Sequence, residues 1–283
     1  MAGSEFLAIG YGLASALSWG AGDFSGGLAT RRNHVYGVVL LSQMVGALFL
    51  VVVAVLLTEP FPLPLDLVYG GGAGIGGTIG LVALYRGLAR GRMGLVAPLA
   101  AVVTAVLPVS VNILAEGSPA GPQLVGFGLA IVAVWLISPR HNKKVAIQAQ
   151  ELVLAVIAGS GFGIFLILID RVNAGAILWP LVSARVASIS LLAIIMVFTS
   201  PLKKIPTAAG LPVIMLAGIF DTGGNAFFAL ATQSGRLDVA AILSSLYPAV
   251  TIALAWLILK ERLLPQQWGG VAAALLAIVL ISV

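Results

Sequence analysis

The sequence predicts an all-α integral membrane protein: ten transmembrane helices arranged as two inverted five-helix repeats. Three observations predict it. The composition is too apolar for water, apolar runs of spanning length recur along the chain, and similar stretches recur half a chain apart. Of 283 residues, 60% are hydrophobic and 9% are charged, and the mean hydropathy is +1.12. A soluble domain carries roughly 25% charged and about 45–50% apolar residues. This composition excludes a soluble enzyme, a disordered chain and, despite a pI near 9.8, a nucleic-acid partner. An outer-membrane barrel would alternate polar and apolar residues over segments of about ten, and that alternation is missing.

A spanning helix needs about 20 mostly apolar residues. Such runs lie at 6–28, 35–57, 67–88, 94–115, 122–138, 152–170, 177–199, 210–232, 239–259 and 266–283. Breakers bound them, among them Glu59-Pro60-Phe61-Pro62-Leu63-Pro64, Gly117-Ser118-Pro119 and Ser200-Pro201. The opening residues Met1 to Phe6 lack a basic stretch and a small-residue cleavage site, and are read as no signal peptide. With the bilayer as the surroundings of every run, little chain is left for a separate soluble domain.

Loop charge orients the spans. The loops between spans 1–2, 3–4, 5–6, 7–8 and 9–10 hold 12 of the 15 Lys and Arg residues. They include Arg31, Arg32, Arg86, Arg140, Lys203 and Lys260. The alternate loops hold Arg171 and Arg236 with the acids Glu59, Asp66, Glu116, Asp170 and Asp238. Short Lys/Arg-rich loops stay in the cytoplasm, so both termini are expected on the periplasmic side of a cell inner membrane.

The repeat is the most informative feature. Gly20-Ala21-Gly22-Asp23-Phe24 matches Gly161-Phe162-Gly163-Ile164-Phe165 at an offset of 141. Ala73 to Gly80 matches Ala217 to Gly224 at 144, and Gln123-Leu124-Val125-Gly126 parallels Gln266-Gln267-Trp268-Gly269 at 143. Three matches in order, at nearly constant offset, divide the chain into units 1–143 and 144–283, together one membrane domain. A unit with an odd number of spans inserts its second copy upside down. Inverted repeats of this kind build secondary transporters, with the substrate site near the midplane between the halves.

Two further runs carry a family resemblance. They are Leu246-Tyr247-Pro248, followed by Leu257-Ile258-Leu259-Lys260-Glu261-Arg262-Leu263 and Gln267-Trp268-Gly269-Gly270, and Leu17-Ser18-Trp19-Gly20 in helix 1. The sequence resembles the EamA-like transporters of the drug/metabolite transporter superfamily. The resemblance implies a ten-helix carrier with a central cavity in a bacterial inner membrane, moving small organic metabolites. The first half departs from the pattern: Glu116 follows Pro108 by eight residues with no Arg after it, whereas Glu261 follows Pro248 by thirteen.

Three ionisable side chains fall inside spans: Asp23, Arg185 and Asp221. A charge at membrane depth costs about 2.5–3.5 kcal/mol on insertion scales, and normally faces the bundle interior or an ion path. Desolvation penalises a charged carboxylate, so either acid is a candidate proton-coupling group. Equally, either acid can simply pair with Arg185. Trp19 and Asp23 share a helix face, as do Asp221 and Asn225, with Gly218 and Thr222 on or near that stripe. An indole beside a carboxylate, opposite an acid and an amide, suits an amine with an apolar body, with cation–π attraction worth roughly 0.5–2 kcal/mol. Tyr85 and Tyr247 are candidate cavity residues; Trp135, Trp179 and Trp268 read as interfacial belt residues.

Other chemistries find less. There is no cysteine, and the two histidines, His34 and His141, lie in basic loops, so no metal or cofactor is expected. The glycine run from Gly70 to Gly80 lacks the Lys-Ser/Thr ending of a phosphate loop. Gly72, Gly76 and Gly80 instead form a small-residue stripe for close helix packing. An intramembrane enzyme would need an aspartyl pair from Asp23 and Asp221, so the protein is read as no enzyme; a channel-like membrane protein is the other alternative. The expected function is therefore secondary transport, by export, of small organic metabolites such as amino acids or amines. Its partners are the substrate, the bilayer and protons, and its assembly is a monomer or a homodimer.

Overall fold

In the computed structural model, the described residues are 2–90, 96–104, 106–107, 121–137, 149–173, 175–198, 206–234, 243–244 and 246–282. Among them the secondary structure is helical, without strands. The helices are α1 (Ala2–Thr30), α2 (Val35–Leu56), α3 (Pro64–Arg90), a stretch over residues 96–104 (α4), α5 (Gly121–Ile137), α6 (Ala149–Asp170), α7 (Leu178–Phe198), α8 (Leu211–Ser234), α9 (Tyr247–Leu259) and α10 (Pro265–Ser282). Among the described residues five helices are long and apolar enough to cross a membrane: Val35–Leu56, Pro64–Arg90, Ala149–Asp170, Leu178–Phe198 and Ala208–Ala231. Leu124–Ala133, Tyr247–Leu259 and Trp268–Leu280 are shorter apolar segments. Parts of the expected spans 94–115 and 239–259 lie outside the described residues.

Helix boundaries follow from local chemistry. Proline opens α3 and α10 and sits at the start of α9, where its missing N–H leaves no bond unmade. His34 caps α2 by accepting from the Tyr36 N–H. Lys260 ends α9 in the left-handed conformation, with φ of 52°, and its N–H bonds to the Ala255 carbonyl. The α2–α3 turn passes through Thr58, also left-handed, before the proline cluster.

The side-chain distribution is that of a bundle surrounded by lipid. Large apolar residues point outward, with Phe198 83% and Leu56 75% exposed. Small residues fill the contacts, because helices in lipid associate by close backbone approach rather than by expulsion of water. A Cβ added at Gly74 would run into the Ala184 carbonyl, and one added at Gly218 into the Ser42 carbonyl. Gly76 and Gly80 meet Gly161 in the same way, so the α3 stripe does pack closely, against α6.

The packing has an internal order. The principal neighbours are α1 with α8, α3 with α6, α5 with α10, α3 with α7, α2 with α7, α2 with α8 and α1 with α9. Advancing each helix number by five, with α6–α10 returning to α1–α5, exchanges α1–α8 with α3–α6 and α2–α8 with α3–α7. It leaves α2–α7 and α5–α10 unchanged. The exchange holds at single residues, since Gly74 on Ala184 becomes Gly218 on Ser42.

Polar ties hold both ends of the bundle. At one end Arg31, after α1, meets Glu261, after α9, at 3.0 Å. At the other end Glu59 accepts from the Ile177 N–H at 2.7 Å and from the Leu178 N–H at 2.9 and 3.0 Å. Those are donors that the start of α7 leaves without intrahelical partners. Asp66 is buried and accepts from the Asn173 backbone and side chain at 3.0 and 2.9 Å. In the sequence Glu59 and Asp66 read only as loop acids; in the structure they fasten α2 and α3 to the turn between α6 and α7.

Candidate functional site

The cavity at the centre of the bundle encloses about 670 Å³ of empty space, part of it open to the outside. Trp19 and Asp23 enter from α1, Gln43 from α2, and Gly74, Gly77 and Leu81 from α3. Thr104 closes it from α4, and Phe162, Phe165 and Leu166 come from α6. Ala184, Arg185 and Ser188 reach it from α7, Asp221 and Asn225 from α8, and Tyr247 from α9. All six residues singled out from the sequence, Trp19, Asp23, Arg185, Asp221, Asn225 and Tyr247, therefore meet in one place.

The ambiguity over the two acids is resolved in the geometry. Arg185 donates from Nη1 to Asp221 Oδ2 at 2.8 Å and to Gln43 Oε1 at 2.5 Å. Asp23 is 8% exposed and has no hydrogen-bond or ion-pair partner among the described residues. Asp221 is the structural partner of the arginine, and Asp23 is the carboxylate left to face the cavity. Among the described residues Arg185 Nε and Nη2 are buried and without partners, so neither is open to the cavity.

Aromatic packing positions the α1 side. Trp19 lies against Gly224, where a Cβ would clash with the indole. Its ring stands edge-on to Tyr247 at 6.1 Å and tilted on Phe228 at 5.6 Å. The Tyr247 hydroxyl is buried and has no partner among the described residues. Gly22 brings the α1 backbone against Asp221, which explains how carboxylates from two distant helices share one cavity. The stripe expected on α8 divides: Asp221 and Asn225 face the cavity, whereas Gly218 and Thr222 pack on Ser42 and Gly46 of α2. Tyr85 is fully buried beside Gly26 and does not line the cavity. Trp179 donates to the Glu59 carbonyl at 3.1 Å, and Trp268 is exposed; the Trp135 side chain lies outside the described residues.

The sequence reading missed Gln43, Thr104 and the Phe162, Phe165 and Leu166 cluster. Gln43 carried a readable signal: it is the lone amide in α2, an otherwise apolar helix. The aromatic cluster carried none, because Phe and Leu in an apolar helix are the background. The lining residues fall into pairs separated by 142 to 144 positions: Trp19 with Phe162, Asp23 with Leu166, Gln43 with Arg185, Gly77 with Asp221, Leu81 with Asn225, and Thr104 with Tyr247. The lining residues of α1 and α6 thus pair in sequence at an offset of 143, two residues from the glycine match at 141. The glycines Gly20 and Gly161 answer to different neighbours, Val250 of α9 and Gly76 of α3.

Comparison with known proteins agrees with this architecture. No curated protein matches the chain. A solved structure, described only as the crystal structure of a protein, is 14% identical, with a TM-score of 0.64 over 97% of this chain and 96% of that one. At that identity the likeness shows the fold alone. The model of the EamA-like transporter family matches residues 149–283; over that stretch the chain is similar to EamA-like transporters, and its long apolar helices are those of a multi-pass membrane protein.

Proposed function

We propose that the protein is a secondary transporter, an exporter of small organic metabolites such as amino acids or amines, working by alternating access of two inverted five-helix halves. The observation that carries this reading is the central cavity with its unpartnered carboxylate, Asp23, beside the Arg185–Asp221 pair. The exchange of α1–α8 with α3–α6 supports the inverted repeat, since a substrate site at the repeat interface is what such folds share. Two similar helix pairs on either side of one cavity can trade packing roles as the opening changes side.

Asp23 is the residue we assign to proton coupling: it exchanges a proton or a substrate charge as the cavity opens to one face and then the other. Asp221, held by Arg185, keeps the site's charge in place. The distribution of loop cations supports a cell inner membrane with both termini periplasmic. An aspartyl-pair enzyme has less support, because Asp221 is engaged by Arg185 rather than by Asp23.

Purified protein in proteoliposomes tests the reading. Flux of a panel of amines and amino acids is expected, rising with an imposed proton gradient, and Asp23→Asn is expected to abolish it with insertion intact. Absence of flux across the panel, with and without the gradient, contradicts it.

A further inference from the structure

The cavity is chemically lopsided across its own pairing. On one side Trp19, Asp23, Asp221, Asn225 and Tyr247 come from α1, α8 and α9. Their counterparts on the other side are Phe162, Leu166, Gly77, Leu81 and Thr104, apolar apart from the threonine, and Phe165 joins them. Gln43 and Arg185, bonded to each other, stand at the boundary. A molecule filling the cavity therefore meets carboxylates at one end and aromatic and aliphatic carbon at the other.

Charge narrows the class further. Among the described residues the lining holds two carboxylates and one guanidinium, leaving one negative charge without a counter-charge. The arginine already serves Asp221 and Gln43 through Nη1, and its Nε and Nη2 are buried away from the open space. Among the described lining residues a substrate carboxylate meets no cationic donor unless Arg185 leaves Asp221, only neutral groups such as the indole of Trp19 and the amide of Asn225. A buried charge without a partner is costly, and one cation placed on Asp23 removes that cost.

Building on the transporter reading, we infer that the substrate is an organic monocation, an amine without a carboxylate. Its ammonium binds Asp23 and its apolar body lies across the boundary against Phe162, Phe165, Leu166 and Leu81. Trp19, beside Asp23 on the same helix face, offers its ring to the same cation. A zwitterion of the same shape is rejected because its carboxylate would sit near Asp221 with no free cation to neutralise it, Arg185 being held by Asp221.

Calorimetric titration of the purified full-length protein with four ligands sharing one phenyl body tests this: phenethylamine, 2-phenylethanol, phenylacetate and phenylalanine. Phenethylamine is expected to bind at least tenfold more tightly than the other three. Along ethylamine, propylamine and butylamine, affinity is expected to rise by about fourfold per methylene. Asp23→Asn is expected to bring phenethylamine down to the level of 2-phenylethanol. Phe162→Ala is expected to flatten the gain along the amine series while the preference for charge remains. Asp221→Asn, which releases Arg185, is expected to admit phenylalanine. Equal binding of the amine and the alcohol overturns the inference, as does tighter binding of phenylalanine by the unmodified protein. So does absence of amine binding by protein that elutes and melts as a folded species. Amine binding without flux contradicts the transporter reading and leaves this inference standing; flux of neutral solutes without amine binding does the reverse.

Discussion

Arg185 of α7 donates to Gln43 of α2, 142 residues earlier in the chain, at 2.5 Å. The separation falls within the 142 to 144 positions that separate the other paired lining residues. Under the proposed repeat, a bond between equivalent positions lies on the axis that relates the two copies. Gln43 and Arg185 both line the cavity, and the pair marks the boundary between its polar and apolar sides.

Gln43 holds the guanidinium toward Asp221. Gln43→Leu removes one of the two acceptors on Arg185 Nη1, and hydrogen bonds to charged groups contribute about 1.5–3 kcal/mol. Proteoliposome flux is expected to fall by tenfold or more with normal insertion, and Gln43→Glu is not expected to restore it, because it adds a third carboxylate. Unchanged flux in Gln43→Leu removes the positioning role.

The Arg185–Asp221 pair is a buried unit and behaves as one under substitution. Asp221→Asn leaves the guanidinium without its counter-charge, and breaking a buried pair from one side costs roughly 3–5 kcal/mol. Arg185→Gln combined with Asp221→Asn removes both charges and is expected to recover most of that loss. Thermal melts of the single and double variants check it; additive losses would show that the residues do not act together.

Close backbone approach, rather than apolar bulk, holds α3 to α7 and α2 to α8. Gly74→Val and Gly218→Val each place carbon inside a facing carbonyl, and overpacking of this kind costs about 1–3 kcal/mol or more. Both are expected to melt well below the parent. Gly128→Ala, with nothing within 4 Å of the new Cβ, is expected to melt at or above it, since alanine is about 0.8–1.0 kcal/mol better than glycine in a helix interior.

Glu59 serves as the cap of a helix it does not belong to. Its carboxylate takes the Ile177 and Leu178 N–H groups while its carbonyl accepts from Trp179. Glu59→Ala is expected to lower stability by about 1–2 kcal/mol, and Glu59→Gln by less, because one amide oxygen still accepts. Equal melting of parent and Glu59→Ala contradicts the capping role.

Much of this was legible in the sequence because the bilayer permits few solutions. Every long apolar run must satisfy its backbone internally, which makes it a helix, and the Pro60 to Pro64 cluster marked the α2–α3 break within a few residues of where it falls. Asp23, Arg185 and Asp221 announced the cavity because charges are rare at membrane depth. Which acid the arginine takes was not readable, since it depends on how α7 and α8 pack across α2. Phe162, Phe165 and Leu166 could not be told from lipid-facing residues, because in an apolar helix the inner face has no distinct alphabet. Glu59 and Asp66 gave no sign of their roles, as their partners lie more than a hundred residues away.

The central claim is that two similar halves cross the membrane in opposite senses around one polar cavity. The chain has no cysteine, so single cysteines can be placed without background at Arg32, after α1, and at Arg171, after α6, both exposed. Labelling with a membrane-impermeant maleimide in oriented vesicles measures which face each one occupies. Inverted halves put Arg32→Cys and Arg171→Cys on opposite faces, with Arg32→Cys cytoplasmic; labelling of both from the same face contradicts the account.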